Sequence, residues 1–132
     1  MQIIFAPDSF KGSLTALQIT ALLKRAAQKH FPEAVTHAVP IADGGEGTVD
    51  ALVAAAGGEY RQASVTGPLG ERVTARYGLL DGGAAAVIET AQAGGLPLVP
   101  QDKRDPRNTT SFGTGELLRI ALHRGAKRLL VG

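Results

Sequence analysis

The chain has 132 residues, 14 Lys+Arg against 12 Asp+Glu, and 44% hydrophobic residues, the composition of one ordinary globular domain. That excludes a disordered tail or a collagen-like repeat, and the absence of cysteine excludes disulfides, thiolate metal sites and cysteine nucleophiles. A net charge of only +2, with no run of about five or more like charges, implies no nucleic-acid partner.

Residues 2–6 form an apolar run cut off by Pro7 and read as a buried strand. This opening is too short, and lacks the basic flank, for a signal peptide. The longest apolar stretch, residues 51–56, is far below the ~18 residues that indicate a membrane span, so a cytoplasmic chain without a membrane partner is expected. After the polar loop Asp8-Ser9-Phe10-Lys11-Gly12-Ser13, Thr15 stands three residues before Gln18, the spacing of a capping box. Ile19, Leu22, Leu23, Ala26 and Ala27 then recur at helical spacing towards Phe31, where Pro32 stops the helix. Residues 35–41 read as a second strand, with Pro40 placing it near an edge. The cluster Gly44-Gly45-Glu46-Gly47 leads into a second helix through Val49, Leu52, Val53 and Ala56, closed by Gly57-Gly58. Strand, helix, strand, helix is the signature of a parallel sheet with crossovers.

The pattern then changes. Residues 72–80 alternate, with Val73, Ala75, Tyr77 and Leu79 on one face and Arg72, Thr74 and Arg76 on the other. Asp81-Gly82-Gly83 reads as a turn and residues 84–89 as the partner strand, an antiparallel hairpin that residues 60–66 extend. A proline-rich connection follows, then a helix through Leu117, Leu118, Ala121 and Leu122, ended by Gly125. Leu129-Leu130-Val131 is expected as a last buried strand. The predicted fold is therefore α/β: a Rossmann-like parallel sheet (1–58), an inserted smaller subdomain with antiparallel strands (59–105), and a return to a Rossmann-like βα unit that is incomplete (106–132). Because ligands bind beyond the carboxyl ends of such strands, a strand followed by a final Gly132 reads as a truncated chain, whose uncovered sheet edge would favour self-association.

Three loops carry candidate chemistry. In Asp8-Ser9-Phe10-Lys11-Gly12-Ser13, a carboxylate, two hydroxyls and an ammonium sit just beyond a strand, suited to holding an anion; the plain alternative is a solvated lysine and a capping serine. In Asp43-Gly44-Gly45-Glu46-Gly47-Thr48, three glycines admit close backbone approach at a helix start, while two acids favour a hydroxyl base or an Mg²⁺ contact over bare phosphate. The loop matches neither named nucleotide fingerprint. In Thr109-Thr110-Ser111-Phe112-Gly113-Thr114-Gly115-Glu116, four hydroxyls and two glycines precede a helix, an anion cradle or simply good capping with Glu116 in the first turn. His30, His37 and His123 are scattered without metal-ligand spacing.

At these loops the chain resembles the bacterial glycerate kinases of the glycerate 2-kinase type, through residues 6–14, 42–48 and 110–117, with Glu89, Ala91, Gly95-Leu96, Arg104 and Pro106 fitting between them. The resemblance implies transfer of a phosphoryl group from ATP to the 2-hydroxyl of D-glycerate, with Mg²⁺, in a two-domain α/β enzyme. It also implies a longer protein, continuing after Gly132 into a glycine- and serine-rich loop. On that resemblance Lys11 meets an anionic group, and Asp8 and Asp43 orient the attacking hydroxyl or, for Asp43, hold the metal. Ser9, Ser13, Gly44, Gly45, Glu46 and Gly47 bind substrate, Arg104 clamps its carboxylate, and Ser111, Gly113, Thr114 and Gly115 line the nucleotide side. A non-catalytic anion- or nucleotide-binding module, or a folding fragment of the kinase, is the alternative.

Overall fold

In the computed structural model, which describes residues 1–10, 13–39 and 41–132, the chain divides into two compact units, Met1–Asp43 and Gly44–Gly132. The first contains strand β1 (Gln2–Phe5), helix α1 (Ala16–His30) and strand β2 (Val35–Ala38). The capping box is formed: Thr15 Oγ1 accepts the Gln18 N–H at 3.2 Å, and Gln18 Oε1 accepts the Thr15 N–H at 2.9 Å. Lys29 and His30 lie in the last turn, where cations complement the helix dipole. β1 and β2 pair in parallel, Gln2 opposite Val35 through Phe5 opposite Ala38. The first apolar run is a strand but not a buried one, since Ile4 is 67% exposed and only alternate side chains turn inward. Pro40 lies outside the described residues.

The second unit holds α2 (Thr48–Ala56), β3 (Glu59–Thr66), β4 (Arg72–Leu80), β5 (Ala85–Ile88), α3 (Ala91–Gly94), α4 (Phe112–His123) and β6 (Arg128–Val131). Its sheet has the order β3-β4-β5-β6, antiparallel except for the parallel pair β5–β6. A tight turn at Asp81–Gly83 joins β4 to β5, and Asp81, Gly82 and Gly83 all take positive φ there. β5 is buried along its whole length, and its side chains alternate between two cores. Ala86 and Ile88 join Val65, Ala75 and Tyr77 beneath Leu117 and Ala121 of α4 and Ala93 of α3. Ala85 and Val87 join Leu80 under Val49 and Val53 of α2. Helices thus cover both faces, and burying a side chain such as Ile88 or Val87 contributes about 1.5–3 kcal/mol. Gly78 explains how closely α2 lies: a Cβ there would come within 2.5 Å of Val53 Cγ2.

β6 hydrogen-bonds to β5, so the last strand completes the sheet that begins with the antiparallel hairpin. The sequence predicts a buried strand here, yet Leu130 and Val131 are 48% and 53% exposed, because β6 is an edge strand of that sheet. The mixed α/β character, with parallel and antiparallel strands, is as the sequence predicts.

Candidate functional site

In the first unit, backbone pairing continues past the strands. The Val39 N–H donates to the Phe5 carbonyl at 2.8 Å and the Ile41 N–H to the Pro7 carbonyl at 3.2 Å. The segments leading to Asp8 and to Asp43 therefore leave the carboxyl ends of two adjacent parallel strands side by side, the usual position for ligand-binding loops in α/β sheets. Asp8 is exposed, and its Oδ1 accepts the Ser9 N–H at 2.6 Å. The Ser13 and Leu14 amides both donate to the Phe10 carbonyl, at 2.8 and 3.1 Å. Lys11 and Gly12 lie outside the described residues.

In the second unit, the loop of residues 44–48 meets the carboxyl ends of β5 and β6. A Cβ on Gly132 would run into the Gly44 carbonyl oxygen, so this approach requires glycine. The Gly132 N–H donates to the Ile88 carbonyl at 2.9 Å, and the Thr90 N–H to the Gly132 carbonyl at 2.8 Å. Gly47 is the α2 N-cap at φ 95°, a left-handed conformation that suits glycine, and it brings no capping side chain. The cap comes from far along the chain: Glu89, only 3% exposed, accepts the Val49 N–H on Oε1 at 2.7 Å. The Thr48 Oγ1 is buried without a hydrogen-bond partner.

A hollow of about 290 Å³ lies at the start of α4, lined by Pro68, Gly94, Leu96, Val99, Arg104 and residues 105–111 in part, including Thr109, Thr110 and Ser111. It brings predicted Arg104 and Ser111 onto one surface. The Arg104 Nε donates to the Val99 carbonyl at 3.3 Å, which orients the guanidinium. Arg107 grips Asp105 through Nε and Nη2 at 3.0 and 2.9 Å, and these bonds lower the Asp105 pKa and raise that of Arg107. Ser111 is the α4 N-cap but makes no side-chain cap; Thr110 Oγ1 accepts the Phe112 N–H at 3.1 Å instead. Gly113 is buried against β3, where a Cβ would strike the Thr66 carbonyl, whereas Gly115 faces open space and Thr114 Oγ1 is buried without a partner.

Glu116 does not serve the first turn of α4, as the capping pattern predicts. Its carboxylate accepts the Thr66 N–H at 2.5 Å and pairs with Arg72 at 3.3 Å. The Thr66 amide, with Arg72 adding to it, holds the Glu116 carboxyl below its ordinary range. In the sequence, Glu89 fits the family's spacing but carries no assigned role. Its sequence signal is one acid directly after an unbroken apolar strand, where burial demands a partner. Among the described residues no group of three or more His, Cys, Asp or Glu could hold a metal ion, and no helix is long and apolar enough to cross a membrane.

Each unit has polar loops after the carboxyl ends of parallel strands, and the second has a hollow at the start of α4, an arrangement of the α/β class. The chain belongs to the glycerate kinase family, which it matches over residues 3–132. It is 51% identical over all 132 residues to glycerate 2-kinase of Escherichia coli K12, and 53% identical to glycerate kinase of Bacillus subtilis 168. In both comparisons it spans only 35% of the relative's length. The crystal structure of a protein assigned as glycerate kinase 2 from Salmonella typhimurium LT2 matches all of this chain at 48% identity and a TM-score of 0.80, with 36% of that structure covered.

Proposed function

We propose that this chain contributes substrate and nucleotide contacts to an enzyme that transfers the γ-phosphoryl group of ATP to the 2-hydroxyl of D-glycerate, giving 2-phosphoglycerate and ADP. Kinases of this family act on a small molecule, and the finer assignment rests on the two acid-bearing loops that leave β1 and β2 together. Such a reaction asks for an acceptor oxygen in line with the γ-phosphorus and cations over the developing charge. The hydroxyl oxygen bonds to phosphorus as the bond to the β-phosphate oxygen breaks, and Asp8 or Asp43 takes the hydroxyl proton. Lys11 would balance charge on the glycerate carboxylate or the transferring group. Ser9, Ser13, Gly44, Gly45, Glu46 and Gly47 would orient glycerate, with Arg104 on its carboxylate, a bidentate match for guanidinium.

The hydroxyls of residues 109–111 and the hollow beside them suit a nucleotide's polar groups, which supports Ser111 on that side; Gly113, Thr114 and Gly115, outside that lining, rest on the family resemblance alone. On this reading Mg²⁺ would be held mainly by phosphate oxygens, with Asp43 adding one ligand. When bound, the ion would neutralise phosphate charge. The cytoplasm, where ATP is available, is the setting of this reading. For the chain by itself, the edge strand β6 with exposed Leu130 and Val131 supports pairing with a second copy, which size-exclusion chromatography would show as a dimer.

The test is a coupled ADP assay with D-glycerate and MgATP, on this chain and on the complete protein. Glycerate-dependent ADP release by the complete protein is expected. Binding of ATP without ADP release would instead support a non-catalytic module. In the active protein, Lys11→Ala should cut turnover by about 100-fold or more if the ammonium stabilises transition-state charge.

A further inference from the structure

A buried carboxylate is costly unless its oxygens are satisfied, so what Glu89 bonds to defines what it does. Glu89 sits at the carboxyl end of β5 with one oxygen on the Val49 amide, the second amide inside α2. Gly47, at the N-cap, has no side chain to do this locally. The other Glu89 oxygen accepts from Gln92 Nε2 at 3.5 Å, and Gln92 Oε1 accepts the Arg76 N–H of β4 at 3.2 Å. Arg76 in turn pairs with Asp50 in the first turn of α2 at 2.8 Å and lies over the Tyr60 ring at 4.7 Å. A closed path therefore runs from the α2 start through β5, α3 and β4 and back to α2, with Glu89 its most buried charge.

We propose that Glu89 is a positioning residue: by capping α2 from the end of β5, it sets the conformation of the 44–48 loop that orients substrate. The inference rests on the kinase reading, because it assigns Glu89 to the geometry of that reaction. Three features support it. The loop carries left-handed glycines at Gly44 and Gly47, and the N-cap glycine brings no side chain to fix the start of α2. The Val49 N–H is already engaged, so it cannot be the anion donor that a glycine-rich helix start suggests. A negative charge at a helix N-terminus also interacts favourably with the helix dipole, and here the charge is shielded from water. The carboxylate acts through the backbone of residues 44–49 and need not touch substrate.

Two variants of the complete protein test this. Glu89→Gln keeps an acceptor but removes the charge, and Glu89→Met removes both. Backbone hydrogen exchange should accelerate at Val49 by about 3–10-fold for Gln and 10–100-fold for Met, following the loss of a charge-assisted bond. Amides of Leu117 and Ala121, in the opposite core, should stay protected. Turnover should fall in the same order, by about 10-fold and 100-fold, as misplacement of reacting groups does, with KM for ATP held within about twofold. Partial rescue by Gln over Met separates positioning from general damage to the fold. Faster exchange with unchanged turnover would overturn the proposal, leaving Glu89 a cap and no more, and unchanged Val49 exchange would overturn the cap itself. A wild-type protein without glycerate-dependent ADP release would overturn the kinase reading and this inference with it, whereas an active wild type with unaffected variants overturns the inference alone.

Discussion

Helices α2 and α4 both begin after glycine- and hydroxyl-bearing loops, and by local pattern their first amides look equally ready for an anion. At α2, the Val49 amide is bound by Glu89 from forty positions away. At α4, the acid that the pattern would place on the first turn, Glu116, reaches instead to the Thr66 amide on β3, and the helix start opens onto a hollow with Arg104 on its wall. The difference teaches that a helix start is made available or closed by tertiary contacts. One charge moved onto α2 and one moved away from α4 give similar loops opposite electrostatic character.

The sharpest way to break this comparison is to disarm the α2 side. Asp43→Asn keeps shape and removes charge, and turnover of the complete protein should drop about 100-fold or more, the scale of lost acid–base assistance. Unchanged steady-state kinetics and Mg²⁺ dependence would remove Asp43 from the reaction. On the α4 side, Gly113→Ala drives a methyl into the Thr66 carbonyl, so urea unfolding should show a loss of about 1–3 kcal/mol. If stability holds, α4 does not lie that close to β3. Arg104→Ala should raise KM for glycerate about 10-fold with little change in kcat, the mark of ground-state binding. A change confined to KM for ATP would move Arg104 to the nucleotide side.

The smallest effect concerns acid. The folded pKa of Glu116 lies below its ordinary 4.5, so its contribution to stability is present above that value and lost as pH falls through the folded one. The tie between α4 and β3 should therefore loosen below about pH 4.5, and Glu116→Gln should flatten the acid limb of a thermal-melting series while leaving the neutral limb parallel to wild type. A variant with the same acid limb would show that the Thr66 contact carries no charge dependence.

Much of the fold is legible in the residues themselves. Thr15 and Gln18 announce the start of α1, Gly57 the end of α2, and the alternation from Val73 to Leu79 the strand β4. What local pattern misses is coverage and long-range pairing. An apolar run such as residues 2–5 is a strand wherever it lies, but its burial depends on neighbours that the run does not encode, and Ile4 is left exposed. The parallel pairing of β6 with β5 is likewise invisible to local pattern. Asp8 and Asp43 stand out in the sequence because each follows a strand run, and both lie beyond the ends of β1 and β2. Glu89 is visible only as one acid after Ile88, and its role emerges once the fold brings Val49 to it.

The most direct measurement is hydrogen exchange by mass spectrometry on the complete protein, with and without a non-hydrolysable ATP analogue and Mg²⁺. The account predicts new protection across residues 109–115 and none at Val49, whose amide is already held. Protection that appears at residues 48–50 and leaves 109–115 untouched would contradict it.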